Sequence, residues 1–241
     1  MQATPKLRLS LFLARCGIAS RRGADAIIES GAVKVNNIRV VDAYYKVDPL
    51  KDTVTYNNKK VTYALKHVYL ALHKPPGYLA DLADSRNRRL ARSLLQTEER
   101  VFPVGRLDYN SEGLMLFTSD GDFANRVMHP RYEVEKEYLV KLRGMLDERA
   151  LQQALHGVSV EGELYRVDRI EPVSVTDQKN AWYRVIVHEG KNRMIRKVAD
   201  ALAHPVLRLK RVRIGSVRLG ALKPGESRAL TAREVLSFLR T

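Results

Sequence analysis

The sequence predicts an α+β protein in two parts, a small α/β module at residues 1–62 and a larger, sheet-based domain at residues 67–241. Three observations favour this fold class. The chain has 241 residues and 45% hydrophobic content, enough to bury a sizeable core. Residues 7–62 show two segments with helical spacing of apolar residues and then a hairpin pattern. From residue 68 onwards, strand patterns alternate with short helices.

The charge of the chain favours a polyanionic partner. Forty-two Lys and Arg stand against 27 Asp and Glu, which gives a formal net charge of +15. Nucleic acid is the leading partner class for such a balance, and charge alone leaves an anionic membrane surface open. No stretch is apolar for long enough to span a bilayer.

The N-terminal residues and the cysteine content favour a cytoplasmic protein without a metal cluster. Arg15 interrupts the apolar run that starts at Leu11, so the beginning of the chain does not fit a secretory signal. Cys16 is the single cysteine, which excludes an internal disulfide and a cysteine-based zinc cluster. The six histidines show no metal-ligand spacing, and we expect no metal site.

The first module is predicted from two helices, at residues 9–14 and 23–28, with Ser20 as the N-cap of the second. Residues 33–40 alternate around Asn36 and Asn37, a hairpin signal, and residues 52–56 add a strand. Five cations cluster around the predicted turns: Arg15, Arg21, Arg22, Lys34 and Arg39. A solvated charged face is one interpretation of these residues, and a nucleic-acid contact is the other.

The second part begins with a strand at residues 68–72 and an exposed Pro-Pro-Gly turn, which would place Lys74 at a rim. Further along, the glycine-rich loop at residues 105–113 precedes a buried strand at 114–117 and carries Asp108 beside Arg106. A carboxylate on a loop that leads into a rigid strand suits catalysis. An aspartate that only caps its own turn is the alternative interpretation.

The remaining elements follow from caps and periodicity. We expect helices from Asp120 to Met128 and from Asp147 to His156, and strands at 133–142, 158–160, 163–173 and 181–187. Tyr138 lies in the first of these strands, where cross-strand packing is its simplest role. The only tryptophan, Trp182, is interpreted as a core or sheet-surface residue.

A basic segment at residues 188–197 predicts an anion site. A glycine loop opens a helix whose first turns carry four cations, and both the helix end and the charge attract anions. An exposed charged helix without a ligand is the alternative. Near the C-terminus, Thr231-Ala-Arg-Glu234 has the pattern of a capping box.

Several of these motifs together resemble one family. Gly105-Arg-Leu-Asp108, Ser111-Glu-Gly-Leu114 and Thr118-Ser-Asp-Gly121 are similar to the active-site motif of RsuA-like ribosomal RNA pseudouridine synthases. The Lys-Pro turn after residue 73, Lys136-Glu-Tyr138 and Glu189-Gly-Lys-Asn-Arg-Met-Ile-Arg196 are similar to further motifs of that family. The resemblance covers nearly the whole chain in order.

The resemblance implies a mixed, mainly antiparallel catalytic sheet with flanking helices, and the isomerisation of one uridine to pseudouridine without a cofactor. Asp108 would be the catalytic carboxylate, Arg196 would pair with it and keep it ionised, and Tyr138 would stack on the extruded base. The sequence leaves open whether Asp108 attacks the sugar, attacks the ring or abstracts a proton. It also leaves open whether Tyr138 removes the proton from carbon 5.

The resemblance further implies contacts with ribosomal RNA or a ribosome-assembly intermediate. Residues 9–36 resemble the small RNA-binding fold named after a ribosomal small-subunit protein, whose cations would meet phosphates. Further RNA contacts are expected from Lys74, Arg106, Lys191, Asn192 and Arg193. Asn192 and Arg193 lean toward large-subunit relatives. The charged stretch at 84–90 and Met194 depart from the family pattern.

Two other functions fit parts of the sequence. A non-catalytic RNA-binding ribosome-assembly factor would explain the charge and the first module, but not Asp108, Tyr138 and Arg196 in their motifs. A DNA-binding regulator would explain less. We expect a monomeric protein.

Overall fold

A computed structural model of the protein describes residues 6–62, 67–177 and 179–239. The chain divides into two compact units, Met1–His67 with Ser119–Gly121, and Val68–Thr118 with Asp122–Thr241. Residues 63–66, between the two predicted parts of the chain, lie outside the described residues. The assignment of residues 1–62 and 67–241 as domains stays a prediction.

The first unit contains two helices and short strands. Its elements are β1 (Leu7–Arg8), α1 (Leu9–Arg15), α2 (Arg21–Glu29), β2 (Val33–Val35), β3 (Ile38–Val40), β4 (Lys46–Val47), β5 (Val54–Tyr56) and β6 (Lys59–Lys60). Ser20 caps α2 by accepting a hydrogen bond from the Gly23 amide at 3.1 Å. Asn36 and Asn37 both have positive φ in the β2–β3 turn. The helices, the cap and the hairpin predicted here are confirmed.

The second unit is built on one large sheet. Its strands are β7 (Tyr69–Lys74), β8 (Phe102–Val104), β9 (Glu112–Thr118), β10 (Lys136–Arg143), β11 (Val158–Val160), β12 (Glu163–Tyr165), β13 (Arg169–Asp177), β14 (Asn180–Val187), β15 (Val206–Ile214), β16 (Val217–Arg218) and β17 (Ser227–Ala229). The main order is β13-β14-β10-β15-β9-β7-β17, and only the β9–β15 pair among these is parallel. The expected mixed, mainly antiparallel sheet is therefore confirmed.

Helices cover both faces of this sheet. They are α3 (Gly121–Met128), α4 (Glu148–His156), α5 (Met194–Ala201) and α6 (Ala232–Leu239). Strand β9 contributes to both cores by alternation, since Met115 and Phe117 join the core with α4 and α5, while Leu114 and Leu116 join the core with α3 and α6. Burial on both faces makes β9 a rigid support for the loop that precedes it.

Two boundary predictions are corrected. The single strand expected at 163–173 is two strands, because the chain leaves the β11–β12 hairpin after Tyr165 and joins the large sheet only at Arg169. The basic helix begins at Met194, so Lys191 and Arg193 precede it. Arg193 has φ +52 and no side-chain cap. The predicted caps at Asp147 and at Thr231–Glu234 are confirmed by hydrogen bonds.

Candidate active site

The loop that carries Asp108 is a tight turn between β8 and β9. The Ser111 amide donates to the Asp108 carbonyl at 3.0 Å, so the turn satisfies part of its own backbone. The Gly77 amide, from the Pro-Pro-Gly turn, donates to the Tyr109 carbonyl at 2.9 Å. The Asp108 side chain remains 31% exposed on this restrained loop. A carboxylate with fixed backbone and partial exposure can meet a bound substrate.

Lys74 lies beneath this loop, and the expected rim position is wrong. The side chain is fully buried, because β7 continues through Lys74 and pairs with β9 at Gly113. Its ammonium donates to the carbonyls of Pro75, Tyr109 and Ser111 at 3.1, 3.4 and 2.7 Å. Burial lowers the pKa of Lys74 to about 8, while Asp108 acts in the opposite direction. A lysine without exposed surface cannot contact a phosphate directly, so its expected RNA contact is corrected to a role in holding the loop.

Arg196 reaches Asp108 from the other end of the sequence. It lies in the first turn of α5, and its Nε donates to Asp108 Oδ2 at 3.3 Å. One terminal amino group donates to Ser111 Oγ at 3.2 Å. The Arg196 side chain is 15% exposed, so water screens this ion pair only in part. The pairing places a positive charge directly against the Asp108 carboxylate.

Tyr138 and Arg211 face each other across two strands. They are register partners in β10 and β15, and the Arg211 guanidinium carbon lies 5.9 Å from the centre of the phenol ring. Arg211 Nη1 donates to Tyr138 Oη at 3.4 Å. Tyr138 is 9% exposed. The phenol is therefore oriented by a neighbouring strand and not only by its own backbone.

Lys136 secures the segment that precedes α5. Its ammonium donates to the carbonyls of Val134 and His188 at 3.0 and 2.7 Å. Burial lowers the pKa of Lys136 to about 8, and the Arg211 charge acts in the same direction. His188 is also held by Asp168, which accepts from its amide at 2.7 Å. These contacts fix the start of the basic loop at 189–193.

One cleft of about 460 Å³ brings the three predicted catalytic residues together. Asp108, Tyr138 and Arg196 all line it. So do four of the predicted RNA-contact residues, namely Arg106, Lys191, Asn192 and Arg193. Arg106 is an exposed member and lies 3.8 Å from Asp81. The cleft thus brings the buried or partly buried Asp108, Tyr138 and Arg196 next to exposed polar and cationic side chains.

The stretch at 84–90 forms an ordered loop around Asp84. Its carboxylate accepts from the Arg86 and Arg88 amides at 3.1 and 2.8 Å, and from the Arg88 side chain at 2.6 Å. The Arg88 hydrogen bonds lower the pKa of Asp84 to about 2. Asn87 supplies the positive φ of the turn. An aspartate and an asparagine therefore shape a loop that exposes several arginines.

Among the described residues, no three His, Cys, Asp or Glu side chains come together as a metal site. In the same part of the chain, no helix has the length and apolar character needed to cross a bilayer. The side chains that line the cleft supply carboxylates, phenols and several cations.

Comparison with known proteins identifies the family. A family model described as RNA pseudouridylate synthase matches residues 68–201, and an S4 domain model matches residues 7–54. The chain belongs to the RNA pseudouridylate synthase family. This pseudouridine synthase is 38% identical, over 98% of its length and 94% of the relative, to an uncharacterized RNA pseudouridine synthase of Aquifex aeolicus.

Two further comparisons cover nearly complete chains. The enzyme is 35% identical to ribosomal large subunit pseudouridine synthase B of Bacillus subtilis, over 95% of this chain and 93% of the relative. A solved pseudouridylate synthase structure matches with a TM-score of 0.66 and 26% identity, over 96% of this chain and 99% of that one. Both matches extend over nearly the whole chain, so they include the residues that the two family models match.

The predicted RNA contacts of the S4 module are on its surface or partly covered. Arg21 and Arg22 are exposed at the start of α2. Lys34 donates to Asn58 Oδ1 at 3.1 Å, and Arg39 donates to the Ser30 carbonyl at 3.3 Å. Arg15 is half-buried at the end of α1. The RNA-binding roles of these side chains stay predictions.

Sequence reasoning did not single out Arg211 or Ser111 as site residues. Arg211 was one of 42 Lys and Arg residues, although it lies between the apolar positions Leu209 and Ile214 of a strand. A basic residue inside such a strand is a usable signal, since an unpaired charge is costly to bury. The contact between Ser111 and Arg196 depends on residues 85 positions apart and gave no local signal.

Proposed function

We propose that this enzyme isomerises one uridine of ribosomal RNA to pseudouridine, with the large-subunit RNA as the favoured substrate. The cleft that holds Asp108, Arg196 and Tyr138 together carries the proposal. The name of the Bacillus subtilis relative supports the choice of the large subunit. The formal charge of +15 is consistent with a polyanionic substrate.

Asp108 is the proposed catalytic carboxylate. Arg196 engages Oδ2 at 3.3 Å, and the side chain is still 31% exposed, so a nucleoside can approach the carboxylate. An ionised carboxylate is needed if Asp108 acts as nucleophile or base. Arg196 is the proposed positioning partner, because it holds both Asp108 and Ser111. This chemistry requires no cofactor.

Tyr138 is the proposed stacking surface for the extruded uracil. A base paired or stacked in RNA must leave its stack before a protein group can reach the glycosidic bond. The phenol lines the cleft and is oriented by Arg211. Arg106, Lys191, Asn192 and Arg193 are proposed to hold the flanking RNA, because they line the same cleft and are exposed. The cations of the S4 module would add phosphate contacts.

The proposal is tested by tritium release from ribosomal RNA labelled at carbon 5 of uridine. The wild-type protein should release tritium, and Asp108→Asn should not. Glu171→Gln is the matched control, since Glu171 is a carboxylate on the sheet face opposite Tyr138 and pairs with Arg184 at 3.8 Å. Release by Asp108→Asn at the wild-type rate would overturn the role of Asp108.

Carbodiimide mapping then locates the modified nucleotide. Ribosomal RNA from a strain that lacks the protein should miss one pseudouridine, and the purified protein should restore it. A missing site in the large-subunit RNA supports the favoured substrate. An unchanged pseudouridine pattern in both ribosomal RNAs would overturn the ribosomal assignment while leaving the family membership intact.

A further inference from the structure

Arg211 has a buried amino group with no partner in the described part of the chain. The residue is 3% exposed. Its Nε donates to the Leu114 carbonyl at 2.7 Å, and Nη1 donates to the Arg106 carbonyl and to Tyr138 Oη, both at 3.4 Å. Nη2 is buried and makes no hydrogen bond. An unsatisfied donor on a buried charge is costly, so its presence calls for an acceptor that arrives with a ligand.

A β-bulge directs Arg211 to the catalytic face of the sheet. Tyr138 pairs with Arg211, and Glu137 pairs with Arg213, so the register skips Val212. The extra residue turns Arg211 and Arg213 to opposite faces although they are two positions apart. Arg213 binds Glu135 and Glu137 at 2.8 Å each, whereas Arg211 lines the catalytic cleft. Bulges commonly aim a side chain at an active site.

No carboxylate of the described residues lies within ion-pair distance of Arg211. The proposed catalytic carboxylate, Asp108, is engaged by Arg196. The Arg211 charge also contributes to the lowered pKa of Lys74 and of Lys136, so both ammonium groups lie near it. The Arg211 guanidinium therefore brings to the cleft a positive charge that no carboxylate of the described residues pairs with directly, and an electron-rich group of the substrate would balance it.

We propose that Arg211 Nη2 donates a hydrogen bond to a ring carbonyl oxygen of the target uracil. This inference rests on the proposed function and names a uracil-binding residue for that site. Phosphates of the RNA are hydrated anions that meet exposed cations such as Arg106 and Arg193, whereas Arg211 is reached only by a group inserted into the cleft. The base is the part of the nucleotide that is inserted when it leaves its stack.

The same hydrogen bond assists the reaction. When the bond between C1′ and N1 breaks, its electron pair stays on the ring and spreads over the two carbonyl oxygens. The ring then forms the bond from C5 to C1′, the proton on C5 leaves to a base, and N1 takes up a proton, so the product is an isomer. A fixed guanidinium beside a carbonyl oxygen stabilises the charge of the detached ring. Loss of Arg211 therefore affects the chemical step more than the affinity for RNA.

The test combines substitutions in the protein and in the substrate. An RNA fragment that carries the mapped uridine is made with uridine, 2-thiouridine or 4-thiouridine at that position, since sulfur is a weak hydrogen-bond acceptor. Single-turnover rates are measured by nucleoside analysis for wild-type protein, Arg211→Lys and Arg213→Lys. Wild-type protein should lose about tenfold or more in rate at one of the two thio positions, the effect of a hydrogen bond to a charged donor.

Arg211→Lys should be slower on the unsubstituted fragment by about 100-fold, because the Nη2 donor is gone and the shorter-reaching ammonium does not replace it. Thio substitution should then cost this variant less than about a further threefold in rate. Its affinity for the fragment should stay within about threefold of wild type. Arg213→Lys should keep the wild-type response to sulfur. Equal losses on thio substitution in wild type and Arg211→Lys would overturn the proposal. So would a wild-type rate that both thio substitutions leave unchanged, whether or not the variant folds.

Wild-type activity on the unsubstituted fragment separates the two proposals. If that activity is present, the proposed function stands and only the role of Arg211 is decided by the thio substitutions. If that activity is absent, the proposed function is wrong, and the role proposed for Arg211 falls with it.

Discussion

Arg196 Nε and Asp108 Oδ2 lie 3.3 Å apart, although 88 residues separate them in the chain. The pair joins the loop before β9 to the first turn of α5, two elements on the same side of the large sheet. Because Arg196 also binds Ser111 Oγ, it holds the catalytic loop at two points. The contact is therefore both an electrostatic and a geometric constraint on the carboxylate.

Arg196→Gln should lower the single-turnover rate of pseudouridine formation by about 100-fold or more, the effect expected when a positioned charged donor is removed from an active site. RNA affinity should change by less than about threefold, because Arg196 is largely buried. Arg184→Gln is the control, since Arg184 lies on the opposite sheet face and binds Glu137 at 3.2 Å. A rate loss shared by both variants would contradict a specific role of Arg196.

Gly113→Ala should unfold the synthase domain or destabilise it by about 3 kcal/mol or more. Gly113 has φ +114, and an added Cβ would lie 2.2 Å from the Arg211 carbonyl oxygen, where β9 and β15 pair. The backbone of Arg211 cannot move away from this Cβ without breaking the pairing of β9 with β15. Urea denaturation measures the change.

Gly105→Ala is the matched control for this glycine. Gly105 has φ +77, but a Cβ would meet no atom within 4 Å. The cost should be limited to the left-handed backbone, about 1 kcal/mol. Equal destabilisation by the two alanines would show that steric contact with Arg211 is not the cause.

Much of the fold was predictable from local signals. The cap at Ser20, the turn at Asn36–Asn37, the helix between Asp147 and Gly157 and the capping box at Thr231 each depend on residues within a few positions. Motif resemblance added the mixed sheet and the residues that meet in the cleft. These features need no knowledge of distant contacts, apart from what the motifs imply.

The errors came from tertiary contacts. Lys74 follows an exposed-looking Lys-Pro-Pro turn, but three carbonyl groups from the Asp108 loop and its own turn surround its ammonium. Arg211 became a cleft residue through a bulge that shifts the strand register by one position. Neither the three carbonyl groups around Lys74 nor the bulge at Arg211 produces a periodic pattern in the sequence. For Lys74, therefore, solvent exposure could not be deduced from the neighbouring residues in the sequence.

Lys74 should make folding stability depend on alkaline pH. Its pKa is lowered from 10.5 in the unfolded reference to about 8 in the folded protein, chiefly by burial. Between these values the unfolded chain binds more protons than the folded one, so this residue's contribution to the free energy of unfolding rises with pH. Below about pH 8 the full cost of burying the charge is present.

The comparison of wild type with Lys74→Met isolates this contribution. The difference in unfolding free energy, wild type minus variant, should increase as the pH rises from about 8 to 10.5, measured by urea denaturation at several pH values. Lys136→Met should show the same direction, because the pKa of Lys136 is also lowered to about 8. A difference that stays constant with pH would contradict a buried, charged Lys74.

RNA affinity should fall steeply with salt, and exposed cations should account for the slope. Each phosphate contact contributes about 0.7 to 0.9 to the slope of log affinity against log salt concentration. Arg193→Gln and Arg21→Gln remove exposed guanidinium groups, so each should reduce the slope by about that amount in filter-binding measurements. Lys74→Met should leave the slope unchanged because its ammonium is buried. Arg184→Gln, on the opposite sheet face, should also leave it unchanged. The assignment of phosphate contacts to exposed cations would be wrong if Lys74→Met reduced the slope while Arg193→Gln kept the wild-type slope.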